Sequence, residues 1–261
     1  AQTRTYDFLA HQQTDDGISW ATQLLVSTDA QPIYHTTSRE LSFEPLSTDT
    51  FKPPTHYALS TQPKMIDVST PMFKELAENV YYVGLGWGYT LFIDVGDYYV
   101  SAGAWHEQGA AMPWREALAL LRKNTQNNKP VAKHIVSHHH TDHMAGLSDI
   151  VEMGTNLVLH PTDIPAVQRH LPQKLTNDRF EPISTTRYLA NGKIMLFDVP
   201  TSHASHNLAL YLPEHQILFT EDLFGSSFET VMPSPNSWPV MDTYQRLRKL
   251  DKQVKTLDLP V

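Results

Sequence analysis

The chain contains no cysteine. That absence excludes disulfides, thiolate metal ligands and cysteine nucleophiles together, and leaves the redox compartment open. Positive charge is also short. Twenty lysines and arginines stand against 28 aspartates and glutamates, a formal net charge of -8, which argues against a general affinity for nucleic-acid backbone or anionic membrane. No apolar run approaches the roughly 20 residues needed to cross a bilayer, so the sequence reads as that of a soluble protein. A phosphate-binding signature is missing too. Gly84, Gly86 and Gly88 alternate with other residues, but no helix pattern follows them and the spacing is not that of a dinucleotide fingerprint. Ala1-Gln2 opens the sequence without an initiator methionine, as in a mature exported protein or a trimmed fragment. The expectation is a periplasmic or secreted protein, with the cytoplasm as the alternative.

What is present is enough for a core. The 261 residues are 41% hydrophobic and 10% aromatic, ordinary values for one large globular domain with or without an extension. Residues 1–75, rich in Thr, Ser, Gln and Pro, read as an N-terminal extension with strands at 18–26 and 33–43, broken by Pro53-Pro54 and Pro63. From Asn79 onward the texture changes to β-rich runs at 80–83, 89–93 and 98–100, which read as successive antiparallel strands. Pro113 opens a helix in which Trp114, Ala117, Leu118 and Leu121 recur on one face. A strand over 133–137, a helix over 147–153, a strand over 156–159 and a helix over 162–171 interrupted by Pro165 follow. Two hairpins come next, 186–190 with 193–199 and 207–212 with 216–220, and a last helix starts at Met241. This is an α/β (α+β) pattern, mixed sheets covered by helices.

Four imidazoles and a carboxylate fall within Ser137-His138-His139-His140-Thr141-Asp142-His143. Imidazole nitrogen and carboxylate oxygen are the usual ligands of zinc and its divalent neighbours. On an extended backbone His138 and His140 leave one face and His139 the other, and a turn after Thr141 brings Asp142 and His143 round to the opposite side of an ion. A histidine tag would sit at a terminus, whereas this run is internal. A second group, His203 and His206, lies between two expected strands, and Asp222 follows the strand 216–220.

Together these segments resemble the metallo-β-lactamase-fold superfamily of metal-dependent hydrolases. The resemblance rests on His138-x-His140-x-Asp142-His143, on His203 followed by Asn207-Leu208-Ala209-Leu210-Tyr211-Leu212-Pro213-Glu214, and on Ile217-Leu218-Phe219-Thr220-Glu221-Asp222. It covers roughly residues 79–261. It implies a four-layer αβ/βα sandwich of two mixed sheets flanked by helices, and a domain of this kind over 76–261. It also implies one metal on His138, His140 and His203, a second on Asp142 and His143, and Asp222 bridging them. Zinc is the implied ion, one or two, with iron or manganese as alternatives. The implied activity is attack by a zinc-activated hydroxide on an ester, lactone, thioester or lactam bond of a small molecule, with Asp142 orienting that nucleophile or carrying its proton. The alternative is a non-catalytic or weakly active metal-binding module of the same fold.

Three features depart from the family pattern. A further histidine, usual after the final helix, has no counterpart after His215, and the sequence ends at Val261 about where that segment would begin. Glu221 stands where Gly usually precedes the bridging Asp. Ser101 stands where an early strand usually places an Asp near the metals. His206 has three readings, as a pocket-lining residue (preferred), as a substitute ligand or as a hydrogen-bonding loop residue. Trp87 and Trp105 are expected in the core or beside the pocket. For His106, His134, His160, His170 and His215, packing or exposure is the default.

Overall fold

The computed structural model describes residues 3–36, 69–86, 88–104, 111–223, 226–227, 230–233 and 240–260. The expected strand residues 37–43, the prolines at 53, 54 and 63, and Trp87, Trp105 and His106 lie outside that set.

The chain divides into two compact units, Ala1–Pro63 and Lys64–Val261. The first is an antiparallel three-stranded sheet of β1 (Arg4–Gln13), β2 (Ser19–Thr28) and β3 (Gln31–Thr36), in that order. The β2–β3 turn is tight because Asp29 and Ala30 both adopt positive φ, 50° and 65°, the backbone handedness that matches the twist of a two-residue hairpin. Strand β1 gives a weak sequence signal. Polar residues alternate with Tyr6 and Phe8, both 55% exposed, so no buried face writes a periodicity into it.

In the second unit the larger sheet has the order β10-β9-β8-β7-β6-β5-β4. Its strands are β4 (Met72–Ala77), β5 (Val80–Leu85), β6 (Gly88–Asp94), β7 (Tyr99–Ala102), β8 (Val131–Ile135), β9 (Asn156–Leu159) and β10 (Phe180–Pro182). Strands β4 to β7 run antiparallel, and β7 to β10 pair in parallel. The parallel strands are joined through α1 (Trp114–Thr125), α2 (Leu147–Glu152) and α3 (Ile164–His170). Pro165 does not interrupt α3; it lies in the first turn, where a missing N–H costs nothing. The smaller sheet is β11 (Arg187–Leu189), β12 (Ile194–Asp198), β13 (Leu208–Leu212) and β14 (Ile217–Phe219), antiparallel throughout. A short ribbon of β15 (Ser226–Ser227) and β16 (Thr230–Pro233) precedes α4 (Val240–Thr256).

The side-chain alternation of the strands sorts the core into three slabs. Phe92, Tyr99 and Leu157 on one face of the large sheet pack with Trp114, Leu118 and Leu121 of α1, Leu147 and Ile150 of α2 and Val167 of α3. The other face sends Leu91, Ile93, Val100, Ile135 and Val158 against Leu189, Ile194, Leu196, Leu208, Leu210 and Leu212 of the small sheet. Met195, Phe197, Ala209 and Tyr211, on the far side of that sheet, meet Leu250 of α4. Helix, sheet, sheet and helix therefore stack in four layers. The α1 face expected from its i, i+3, i+4, i+7 spacing is the buried one.

One glycine fixes the end of β7. Gly103 has φ +85°, and a Cβ there would lie 2.5 Å from the Tyr89 carbonyl oxygen. Only glycine lets the chain leave the strand this way.

Candidate metal centre

Open sheets display side chains from loops beyond the carboxyl ends of their strands. The run from Val136 to Gly146 leaves β8 at such an end, the loop 199–207 leaves β12, and Glu221-Asp222 follow β14. Strands β12 and β14 both run antiparallel to β13, so their carboxyl ends share one edge. The Leu208 amide donates to the Ser137 carbonyl at 2.8 Å, joining the two sheets there.

The first run turns as its spacing demands. Amides of His143 and Met144 donate to the His140 carbonyl at 3.1 and 3.2 Å, and α2 begins at Leu147. Gly146 allows the turn to seat against Ala104 and Trp114, each with its Cβ 3.2 Å from where a Gly146 Cβ would stand. His138 and His140 lie together with ring centroids 4.6 Å apart. His139 points elsewhere, its Nδ1 2.8 Å from Asp163 Oδ1.

The loop that carries His203 is held by buried Asn207. Its Nδ2 donates to the carbonyls of Ala204 at 3.0 Å and Val199 at 3.2 Å. Asp222 is held by α4, where buried Arg246 donates from Nη1 to the Asp222 carbonyl at 2.7 Å.

At the edge, donor atoms of His138, His140, His203 and Asp222 all lie within 4.8 Å of one another. His203 Nε2 is 3.2 Å from His138 Nε2 and 2.9 Å from Asp222 Oδ2, which stands 3.9 Å from His138 Nε2. A tetrahedral ion with bonds of about 2.0–2.1 Å to its ligands separates those ligands by about 3.3 Å, so this donor set suits a divalent ion in number and donor type, with spacings of 2.9, 3.2 and 3.9 Å around that value. The other Asp222 oxygen, Oδ1, is 3.1 Å from His143 Nε2, so the carboxylate stands between two imidazole groups. Asp142, 51% exposed, has Oδ2 3.7 Å from His143 Nε2.

Electrostatics separate these histidines. Burial, with repulsion from neighbouring imidazoles, pushes His138 down to about 2 and His140 down to about 4. Both therefore stay neutral with a lone pair to give. Burial also opposes charge on His143, but the hydrogen bonds its ring donates to Asp222 and Glu221 outweigh it and raise it to about 10. Asp222 shows the reverse balance, since burial favours its neutral form while His143 and His203 hold its carboxyl well below the usual range.

The structure groups His138, His140, His203 and Asp222, and places His143 in a second group with His138 and Glu221; Asp142 joins neither group and stands 3.7 Å from His143. Ser101 does not join them; its Oγ pairs with His134 Nδ1 at 2.8 Å in a fully buried contact. His206 is hydrogen-bonded, and with His160 and Asp198 it also forms a donor group that could hold an ion. Its Nδ1 is 2.8 Å from Asp198 Oδ2, and its ring stacks on His160 with centroids 3.4 Å apart. Residues not singled out as functional are Ser137, whose hydroxyl donates to Glu221 Oε2, Arg246, and the Asp198–His160 pair around His206. In the sequence Glu221 stands out only as a departure from the glycine usual there.

The four layers with an imidazole–carboxylate cluster at their shared edge define an αβ/βα sandwich with a candidate metal centre. The chain belongs to the metallo-beta-lactamase superfamily, whose family model matches residues 74–254. No curated protein matches it. Among solved structures it is similar to DIM-1 metallo-beta-lactamase, at 15% identity and TM-score 0.53 over 71% of this chain and 84% of that one. The metallo-beta-lactamase FIM-1 from Pseudomonas aeruginosa, solved in its mono-zinc form, is 16% identical with TM-score 0.51 over 74% and 85%. A metallo-beta-lactamase from Hirschia baltica is 18% identical with TM-score 0.50 over 70% and 85%. At these identities the likeness is one of fold.

Proposed function

We propose that this protein is a metal-dependent hydrolase that uses zinc, with iron or manganese as alternatives, to cleave an ester, lactone, thioester or lactam bond in a small molecule. The carrying observation is the convergence of His138, His140, His203 and Asp222 from three separate segments within 4.8 Å. Zinc held there would supply Lewis-acid activation of water and of the scissile carbonyl. His138, His140 and His203 would hold the first ion. Asp222, which faces His203 and His143, would be shared with a second ion that His143 and Asp142 would hold. The Asp142 carboxylate, half exposed, orients the attacking water and takes its proton at the solvent edge. The unit that begins at Lys64 and includes β4 would be the catalytic domain, and the residues before it an extension. The metallo-beta-lactamase neighbours favour lactams by analogy of fold alone.

The test is hydrolysis of a panel of chromogenic esters, lactones, thioesters and β-lactams by zinc-loaded protein. Turnover of at least one class should disappear with chelator, return with zinc and be absent in His140→Ala. Turnover that survives chelation, or full zinc content in His140→Ala, overturns the assignment. Zinc bound tightly with no turnover on any class points instead to a metal-binding module.

A further inference from the structure

Glu221 has a conformation that a side-chain-bearing residue avoids. Its φ is +44°, in the left-handed region where a Cβ is strained against the following carbonyl oxygen. Glycine would relieve that strain, so something the carboxylate does must offset it. The hydrogen bonds show what. Glu221 Oε2 accepts from His143 Nδ1 at 2.6 Å and from Ser137 Oγ at 2.6 Å, and the carboxylate is only 8% exposed. Ser137 Oγ also lies 2.9 Å from His138 Nδ1.

Proton counting fixes the tautomers. A serine hydroxyl has one hydrogen, and Ser137 gives it to Glu221. The contact with His138 is then made by the imidazole, which donates Nδ1–H to the serine oxygen. His138 Nε2 is left with its lone pair, 3.2 Å from His203 Nε2. His143 likewise spends Nδ1–H on Glu221 and turns Nε2 to Asp222. One carboxylate oxygen thereby sets ring orientation and donor atom for two imidazoles, one directly and one through a hydroxyl.

We infer that Glu221 is the positioning residue of the metal centre, tethering His143 directly and His138 through Ser137 so that both present Nε2 to metal. This rests on the metal-centre reading above. Carboxylates behind metal-bound imidazoles raise ligand basicity and restrict ring rotation, and losing one typically weakens metal affinity 10–100-fold. Ser101, paired with His134, is not available for that task.

The test uses the full chain with Glu221→Gly, Glu221→Gln and Ser137→Ala. Glycine accepts φ +44° without backbone strain, while loss of the buried carboxylate leaves His143 with Asp222 alone, so Glu221→Gly should melt below wild type and is assayed at a temperature where it remains folded. Its zinc dissociation constant, by competition with a chromophoric chelator, should rise 10–100-fold. Glu221→Gln retains a carbonyl acceptor and should lose less. Ser137→Ala should lose less than Glu221→Gly, since only the His138 tether is cut. The second readout needs no metal: ¹⁵N-resolved imidazole spectra of metal-free wild type should show protected Nδ1–H signals from His143 and His138. The His143 signal should vanish in Glu221→Gly. Zinc affinity within twofold of wild type in Glu221→Gly, or an unchanged His143 Nδ1–H, overturns the inference. If wild type itself binds no zinc, the proposed function falls, and the imidazole spectra still decide whether Glu221 holds the rings.

Discussion

Replacing Asp222 by Asn should damage the protein even when no metal is present. In the metal-free chain the carboxylate takes charge-assisted hydrogen bonds from His203 at 2.9 Å and His143 at 3.1 Å, and its side chain is only 18% exposed. Such bonds contribute about 1.5–3 kcal/mol each. Asparagine keeps one acceptor but no charge, leaving the buried His143 cation with Glu221 alone, so the expected loss is about 3 kcal/mol. Its pH window follows from the two shifts. The Asp222 carboxyl is held below its ordinary value, so its contribution exists above about pH 4 and is lost as pH falls. His143 is raised to about 10, so its contribution is complete below about pH 6.5 and is lost as pH rises through 10. The difference between wild type and Asp222→Asn should therefore be largest near pH 6 and shrink on both sides. Urea unfolding in the presence of chelator, at pH 6 and pH 10, measures it. A variant within about 0.5 kcal/mol of wild type at pH 6, or an equal gap at both pH values, refutes the reasoning.

Acid should weaken the metal-free protein through a residue outside the cluster. Burial pushes His134 down to about 3, while an unfolded histidine takes its proton near pH 6.5. The folded pKa is depressed, so stability is held above about 6.5 and lost as pH falls towards 3, at up to a tenfold change in the unfolding equilibrium per pH unit for this group. His134→Gln should flatten that slope in urea midpoints measured between pH 4 and 6.5, and an unchanged slope contradicts the assignment. Gly103→Ala should destabilise by several kcal/mol, because φ is +85° and the new Cβ would meet the Tyr89 oxygen at 2.5 Å. A melting temperature equal to wild type would show that the β7 exit relaxes freely.

Legibility from sequence followed burial and chain distance. The α1 face was readable because Trp114, Ala117, Leu118 and Leu121 are all buried, so their spacing records the packing. The same holds for the hairpins β11–β12 and β13–β14, whose inner and outer residues alternate. Strand β1, largely exposed, and strand β10, three residues at a sheet edge, leave no such record. Within the site, His138, His140, Asp142 and His143 were legible because the chain supplies them in one short run. His203 and Asp222 were legible only through the family resemblance, since nothing local brings them to that run. The Glu221 tether spans 84 residues to Ser137, and Arg246 reaches Asp222 from another helix. No spacing rule encodes either contact; both depend on loops meeting at an edge only after the sheets have stacked. Glu221 was visible as an acidic residue in a glycine's place, and its left-handed φ gives that oddity its physical meaning.

The account depends most on a single ion position. Crystals grown with zinc and measured on both sides of its absorption edge should give an anomalous peak within about 2.0–2.2 Å of His138, His140 and His203 nitrogens, with Asp222 beside it. A protein that takes up zinc elsewhere, or shows no peak among those imidazoles, contradicts it.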